Sequence, residues 1–338
     1  MSLRTVLAAP ALVLALAGPT GCFFVTNPDS PTFEGDDVRM ETPGQSGFRA
    51  AGDQGDVYEL GHEIAGDINE FVADLAGEMG EVVREANRHP AERMDGDWRV
   101  YGPADDEDGA DIRWMLRVRG DSTSSAFEVF VGDRGAPERD LQVVLSGELT
   151  ADRGVRDGSI LIDFDVFAAH PELIGDAAAG SRYGGSIGVT FHRDKNTGEK
   201  DIELDFDGFF YEDRREAYDY GDETYAYHRD TDGSGTFHFA TWSSFEDEGW
   251  SGPEIERLVV DMRWDGAGAG RAVGQVQEVD GKGDLRYGDL TVDECWDGGG
   301  GLVFADITEA YRSLDPDYSF GDGSECVFAV EDVAAGGQ

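Results

Sequence analysis

DVYELGHEIAGDINEFVADLAGEMGEVVREANRHP, residues 56–90, is followed after Gly96 by a change of hydrophobic period, and the two signals together decide the fold. Val57, Leu60, Ile64, Ile68, Phe71, Leu75, Met79, Val82 and Ala86 recur at spacings of three and four. Glu59, Glu63, Asp67, Glu70, Asp74, Glu78, Glu81 and Glu85 fall mostly off that stripe. The spacing predicts an amphipathic helix of about eight turns. Asp56 can cap its start, and Pro90 stops it soon after Asn87. A helix lying on a membrane surface would carry Lys and Arg on its polar face, and this one carries acids. Its apolar face is therefore expected to pack on protein.

Beyond Gly96 apolar residues alternate with polar ones. Ile112, Trp114, Leu116 and Val118 are interleaved with Arg113, Arg117 and Arg119. Phe127-Val129-Val131, Leu141-Val143-Leu145, Ile160-Ile162-Phe164-Val166, Ile187-Val189-Phe191 and Ile202-Leu204-Phe206 follow. Phe237-Phe239, Leu258-Val260-Met262-Trp264, Val273, Val276, Leu290-Val292 and Val327 mark the later strands. Between them lie turn clusters such as Asn196-Thr197-Gly198 and Asp232-Gly233-Ser234-Gly235. About a dozen strands with short turns imply an antiparallel meander, apolar on one face and acidic on the other. Short helices are expected at His170–Leu173 and Thr308–Leu314, and no repeat of fixed length stands out. The fold class is thus mainly β (α+β): a large curved antiparallel meander or half-barrel packed against one long N-terminal helix, in a single domain over 56–335. That element order is similar to the open half-barrels of envelope lipid-carrier families, a likeness of architecture without a shared motif. A lipid-facing barrel is disfavoured, because Asp201, Glu203, Asp205 and Asp207 occupy the second face.

The 338 residues hold 71 acids against 27 bases, a formal charge of −44, so nucleic acid is excluded as an expected partner. Hydrophobic residues make up 40% of the chain, enough for a real core.

Residues 1–22, MSLRTVLAAPALVLALAGPTGC, start with Arg4 and continue with an apolar run from Val6 to Ala17. Such a run suits an export signal and is too short to span a bilayer. Gly21-Cys22 resembles the lipobox of bacterial lipoproteins, although Pro19 and Thr20 depart from its usual residues. The resemblance implies a signal peptide at 1–21, acylation of Cys22 and an anchor in the cell envelope. Phe23 after the cysteine points to the outer membrane. Residues 22–55 then read as the acylated cysteine and a flexible tether.

With Cys22 set aside, Cys295 and Cys326 remain and are expected to form a disulfide, since an exported chain with an even pair favours one. The segment around Glu294-Cys295-Trp296-Asp297 and Cys326-Val327-Phe328 resembles uncharacterised envelope lipoproteins, a likeness that carries no activity. Asp230-Thr231-Asp232-Gly233-Ser234-Gly235 looks like half of a calcium loop, with Asp230 and Asp232 as candidate ligands; a plain hairpin turn is the competing reading. Gly184-Gly185-Ser186-Ile187-Gly188 fits the G-x-S-x-G nucleophile elbow, but Val189-Thr190-Phe191-His192 continues as strand where a helix is required. The six histidines show no metal-ligand spacing. Phe209-Phe210-Tyr211 with Tyr218, Tyr220, Tyr225 and Tyr227 forms an aromatic hairpin, either a partner surface or cross-strand packing. The functional expectation is a lipid-anchored, non-enzymatic envelope protein that binds an apolar ligand or a partner protein. The alternatives are an acidic structural or adhesive surface protein stabilised by calcium and, remotely, a serine hydrolase.

Overall fold

The structure, a computed structural model, describes residues 30–43, 55–105, 111–170, 182–212, 217–219, 224–243, 256–278, 285, 287–312 and 318–334. The expected signal peptide at 1–21 and Cys22 lie outside these residues. The protein is mainly β, as the alternation predicts. Its strands are β1 (Arg93–Asp95), β2 (Trp98–Asp105), β3 (Ile112–Gly120), β4 (Ser124–Asp133), β5 (Gln142–Asp152), β6 (Val155–Asp163), β7 (Arg182–Asp194) and β8 (Lys200–Glu212). They continue with β9 (Ala217–Asp219), β10 (Thr224–Arg229), β11 (Gly235–Ser243), β12 (Glu256–Trp264), β13 (Gly270–Glu278), β14 (Leu290–Trp296) and β15 (Leu302–Ile307). Neighbours in sequence are neighbours in the sheet, except that β9 pairs only with β8, and β10 takes the next place. The sheet is open, with β1 and β15 at its edges. Both edges are blunted: β1 is three residues long, and on β15 the backbone of Ala305 is taken by Phe320 while Arg312 holds the Ile307 carbonyl.

Helix α1 runs Asp56–Arg88, within a residue or two of the expected bounds. Its fully buried line differs from the sequence stripe. Ala65, Ile68, Val72, Ala76, Met79, Val83 and Ala86 have almost no exposed surface, while Leu60, Ile64, Phe71, Leu75 and Val82 are half-buried. Small side chains let the helix approach the sheet closely. At Gly61 a Cβ would overlap the Met262 sulfur. Leu60, Ile64, Phe71, Leu75 and Val82 flank the buried line.

The chain divides into two compact units, a division the sequence does not announce. Unit 1 comprises residues 1–39, 67–196 and 206–221; unit 2 comprises 40–66, 197–205 and 222–338. In unit 1 one row of the inner face runs in register across five strands, Val118, Phe127, Gly147, Ile160 and Val189. The side chains of that row are buried, and Phe127 lies across Gly147, where a Cβ would strike the ring. Phe191 covers Gly158 in the same way. Phe33 closes the layer, its ring 5.7 Å from that of Phe127 and 6.2 Å from that of Phe191.

Phe33 belongs to the stretch expected to be tether, and residues 30–43 are instead packed. Phe33, Val38 and Met40 are buried, and Asp37 has no exposed surface. In unit 1 Asp37 accepts from Arg156 Nε and Nη2 at 2.8 and 2.7 Å and from Arg193 Nη1 at 3.2 Å. In unit 2 Tyr58 and Tyr227 donate to the carbonyls of Pro43 and Glu41. A composition rich in Pro, Asp and Thr hides this segment because it contributes only a few apolar side chains.

The short helix expected at His170–Leu173 falls outside the described residues after His170, and that expected at Thr308–Leu314 is described only to Arg312. Phe164 and Val166 continue the alternation of β6, yet the strand ends at Asp163, whose carboxylate caps helix α2 (Phe164–Ala169) by accepting from the N–H groups of Asp165 and Val166. His170, the expected helix start, is its C-cap. Residues 308–312 form turns closed by Thr308 and Glu309, and a last helix, α3 (Val330–Ala334), follows Val327, which lies in no strand.

In unit 2 a repeated hairpin appears. Asp230, Asp265 and Asp297 each donate a backbone N–H to the carbonyl four residues on, at 2.8, 2.9 and 2.9 Å. Gly233, Gly268 and Gly300 return N–H bonds to those aspartate carbonyls from φ values of 86, 89 and 80°. Trp264 and Trp296 then lie over Gly235 and Gly270, and their indole N–H groups reach the carbonyls of Gly233 and Gly268 at 3.0 and 2.8 Å. One device therefore closes the β10–β11, β12–β13 and β14–β15 hairpins.

Candidate functional site

Unit 2 carries a stapled strap, residues 318–334, which starts along the edge of β15, where Phe320 pairs with Ala305, and from Cys326 to Asp332 crosses the outward face of β12–β14. Alternation along β14 sends Glu294 and Trp296 inward and Asp293 and Cys295 outward. Cys295 bonds to Cys326, as expected from the cysteine count, with sulfurs 2.10 Å apart. Arg271 stands opposite Cys295 on β13. Its guanidinium grips the Asp293 carboxylate from Nε at 2.7 Å and gives Nη1 to the Phe328 carbonyl at 2.9 Å. Arg263, opposite Arg271 on β12, donates to the Asp332 carbonyl at 3.0 Å and lies 4.9 Å from the centre of the Phe328 ring. Val333 buries its side chain, and Asp322 caps a single 3-10 turn through Ser324. That hydrogen bonding holds the Asp322 carboxyl below its ordinary value.

The strap exposes apolar and acidic side chains together. Phe320, Val327 and Val330 are 45, 55 and 41% exposed, half of the large apolar side chains that stand exposed among the described residues. Asp322, Glu325, Glu331 and Asp332 surround them in sequence. Val327 and Val330, on the part of the strap tied down by the disulfide and the two arginines, are its candidate contact residues.

The sites expected from sequence resolve differently. Asp230 and Asp232 belong to the first copy of the repeated hairpin. Asp232 accepts from the Ser234 hydroxyl and N–H at 2.7 and 2.9 Å, which lowers its pKa, and Asp230 faces His228 Nε2 at 3.5 Å. Among the described residues no three of His, Cys, Asp and Glu converge as a metal requires. The carboxylates close a turn, and the calcium-loop resemblance is that of one Asp-Gly turn to another. Ser186 sits within β7 opposite Asp163, with strand on both sides, so the strand–turn–helix of a nucleophile elbow is not formed there. The aromatic hairpin is largely core: Phe209, Tyr225 and Tyr227 are buried, and burial pushes the Tyr227 hydroxyl up to about 12. Tyr218 and Tyr220 carry no described side chain.

Three histidines meet an aspartate across a strand pair, His192 with Asp157, His228 with Asp201 and His238 with Asp261, at 2.6, 2.5 and 2.7 Å. Sequence spacing conceals these because each pair is separated by more than twenty residues. The same holds for Glu294, a buried glutamate of β14 that accepts from the backbone N–H groups of Val57 and Tyr58 at 3.0 and 3.2 Å and from the Tyr318 hydroxyl. It caps α1 from outside, and burial raises its pKa above the usual carboxylate value. A W-D-G-x-G pattern, at Trp264–Gly268 and again at Trp296–Gly300, is the signal by which the hairpin repeat was readable. Among the described residues no helix is long and apolar enough to cross a membrane. Comparison with protein-family models, with curated proteins and with solved structures finds no match for this chain.

Proposed function

We propose that this is an exported, non-enzymatic envelope protein, anchored through acylated Cys22, that docks a partner protein on its C-terminal strap. The observation that carries the reading is the exposure of Val327 and Val330 on a segment fixed by a disulfide and two arginine–carbonyl bonds. A flexible tail would expose such side chains without consequence; a fixed one presents them in one geometry, which lowers the ordering cost of binding. The disulfide fits an oxidising compartment and so supports export. Within each unit the inner face is occupied by buried side chains of α1, residues 30–43 and the strands, which favours a protein partner over an apolar ligand.

Two experiments test this. Cells fed labelled fatty acid should label the parent and not Cys22→Ser; equal labelling removes the anchor. A photo-crosslinking amino acid at position 327 should give one discrete adduct on cells, and the same probe at Leu161, which is 48% exposed in unit 1, should not. No adduct at 327, or the same adduct at both positions, refutes docking at the strap.

A further inference from the structure

We infer that the partner of the strap presents an apolar face rimmed by lysine and arginine, in the manner of a basic amphipathic helix; this rests on the reading of the strap as a docking surface. The strap itself is acidic at its rim. Asp322, Glu325, Glu331 and Asp332 lie within the same eleven residues as Val327 and Val330. Arg312, near the start of the strap, is held by Asp306 beside Ser319, and Arg263 and Arg271 point under the strap, engaged by the carbonyls of Asp332 and Phe328 and by Asp293. The two under the strap are not presented to a partner. Asp322 and Asp332 accept hydrogen bonds from Ser324 and Ala329 of the strap itself, and among the described residues no cation neutralises them, on a chain of formal charge −44.

Charge decides among occupants. A second copy of this chain would bring its own acidic rim against this one and add the repulsion of two strongly negative surfaces. A bilayer with anionic headgroups is repelled for the same reason. A partner with apolar side chains at its centre and cations at its margin covers Val327 and Val330 and pairs with the rim. Rim pairs of this kind act mainly on association rate and selectivity, and the buried centre supplies the affinity.

The test uses the purified full chain without its signal peptide and a labelled synthetic helix of leucine and lysine at heptad spacing, read by fluorescence anisotropy. The control peptide carries glutamate at every lysine position. The decisive variant is Val327→Asn/Val330→Asn, which leaves the net charge unchanged and so separates docking at the strap from adsorption to an acidic surface. The lysine peptide is expected to bind, to weaken about tenfold in this variant and to weaken further in high salt, with the glutamate peptide at least about tenfold weaker throughout. Equal binding of the lysine peptide to parent and variant means that the strap is not the site and overturns the docking reading itself. Equal binding of both peptides to the parent, with loss of both in the variant, leaves the site standing and overturns the basic-rim inference. Anionic or zwitterionic vesicles that bind the parent and not the variant would show a lipid surface as the occupant and likewise overturn it. Both valines are more than 40% exposed, so the variant is expected to keep the parent's melting temperature. Should it fail to fold, Val327→Asn alone, the more exposed of the two, carries the same comparison.

Discussion

Replacing Asp37 by alanine removes the acceptor of three charge-assisted hydrogen bonds, two from Arg156 at 2.8 and 2.7 Å and one from Arg193 at 3.2 Å. The Asp37 side chain has no exposed surface, and that of Arg156 is 9% exposed. Removing one member of such a pair leaves a guanidinium buried without its counter-charge, at a cost of about 3–5 kcal/mol. Two contacts soften the loss: Arg156 keeps the Thr32 carbonyl at 2.6 Å and Glu34 at 3.7 Å, and Arg193 is 21% exposed and can turn to water. The lower end, about 3 kcal/mol, is therefore expected, which for a unit of this size lowers the melting temperature by about 6–12 °C. Calorimetry of the full chain measures it. Tryptic cleavage after Arg39, two residues further on and exposed, reports whether residues 30–39 have come away. Arg156→Met added to Asp37→Ala should recover part of the stability, because the orphaned charge goes with it. A single variant that melts within about 1 °C of the parent, with Arg39 cut no faster, would mean that this ion pair does not hold the segment, and the account of residues 30–39 would fall.

Glu294→Ala leaves the Val57 and Tyr58 amides and the Tyr318 hydroxyl without an acceptor and should cost about 2–4 kcal/mol in chemical denaturation, whereas Glu294→Gln, which can still serve both sides, should stay within about 1 kcal/mol. Because burial raises the Glu294 pKa above 4.5, the folded state holds that proton more tightly; its contribution is present at low pH and lost as pH rises through the raised value, a slope that the glutamine variant should lack in melting curves taken across that window. His228 also titrates above its ordinary value of 6.5: burial opposes its charge, but the hydrogen bond it donates to Asp201 and the charges of Asp201 and Asp230 prevail. Its stabilisation is full below pH 6.5 and is lost as pH rises through the raised value, so His228→Gln should flatten melting temperature against pH there, and an NMR titration showing an unshifted ring removes the claim. Cys326→Ser opens a link between residues 31 apart in sequence and should cost about 3–4 kcal/mol, with protease cutting concentrated in residues 318–334; a variant as resistant as the parent would show that the arginines alone hold the strap.

The long helix is legible because its period needs no partner and Pro90 follows its end, although Asp56, the expected cap, is its first helical residue and Glu294 supplies the cap. Most strands were legible for the same reason, since alternation survives whatever lies beside it. What escaped reading was fixed from a distance. Nothing around Asp37 announces that Arg156 and Arg193 will close on it, and nothing around Glu294 announces the amides of Val57 and Tyr58. Phe164 and Val166 keep the strand alternation of Ile160 and Ile162, and only the Asp163 carboxylate, turning back onto two N–H groups, converts them to helix. Val327 looked like a strand residue because it sits beside Cys326 and Phe328, whereas the disulfide holds it on the surface. The aspartates of Asp230–Gly235 read as ligands because the first hairpin was seen alone; beside Trp264-Asp265-Gly266 and Trp296-Asp297-Gly298 they are one instance of a turn.

The external cap on α1 also sets an order of events. Val57 and its acceptor Glu294 are 237 residues apart. As the chain is synthesised from its N-terminus, α1 is complete long before β14 exists, and its first amides must wait for an acceptor until nearly nine-tenths of the protein has been made. The far end of the same helix waits far less, because the Tyr101 hydroxyl reaches the Ala86 carbonyl from only 15 residues away. The helix is therefore anchored first at its C-terminal end and sealed last at its N-terminal end. Long-range closure of this kind is the slow part of a fold dominated by non-local pairing. A nascent chain stalled before β14 should show protected amides near Ala86 and freely exchanging ones at Val57 and Tyr58.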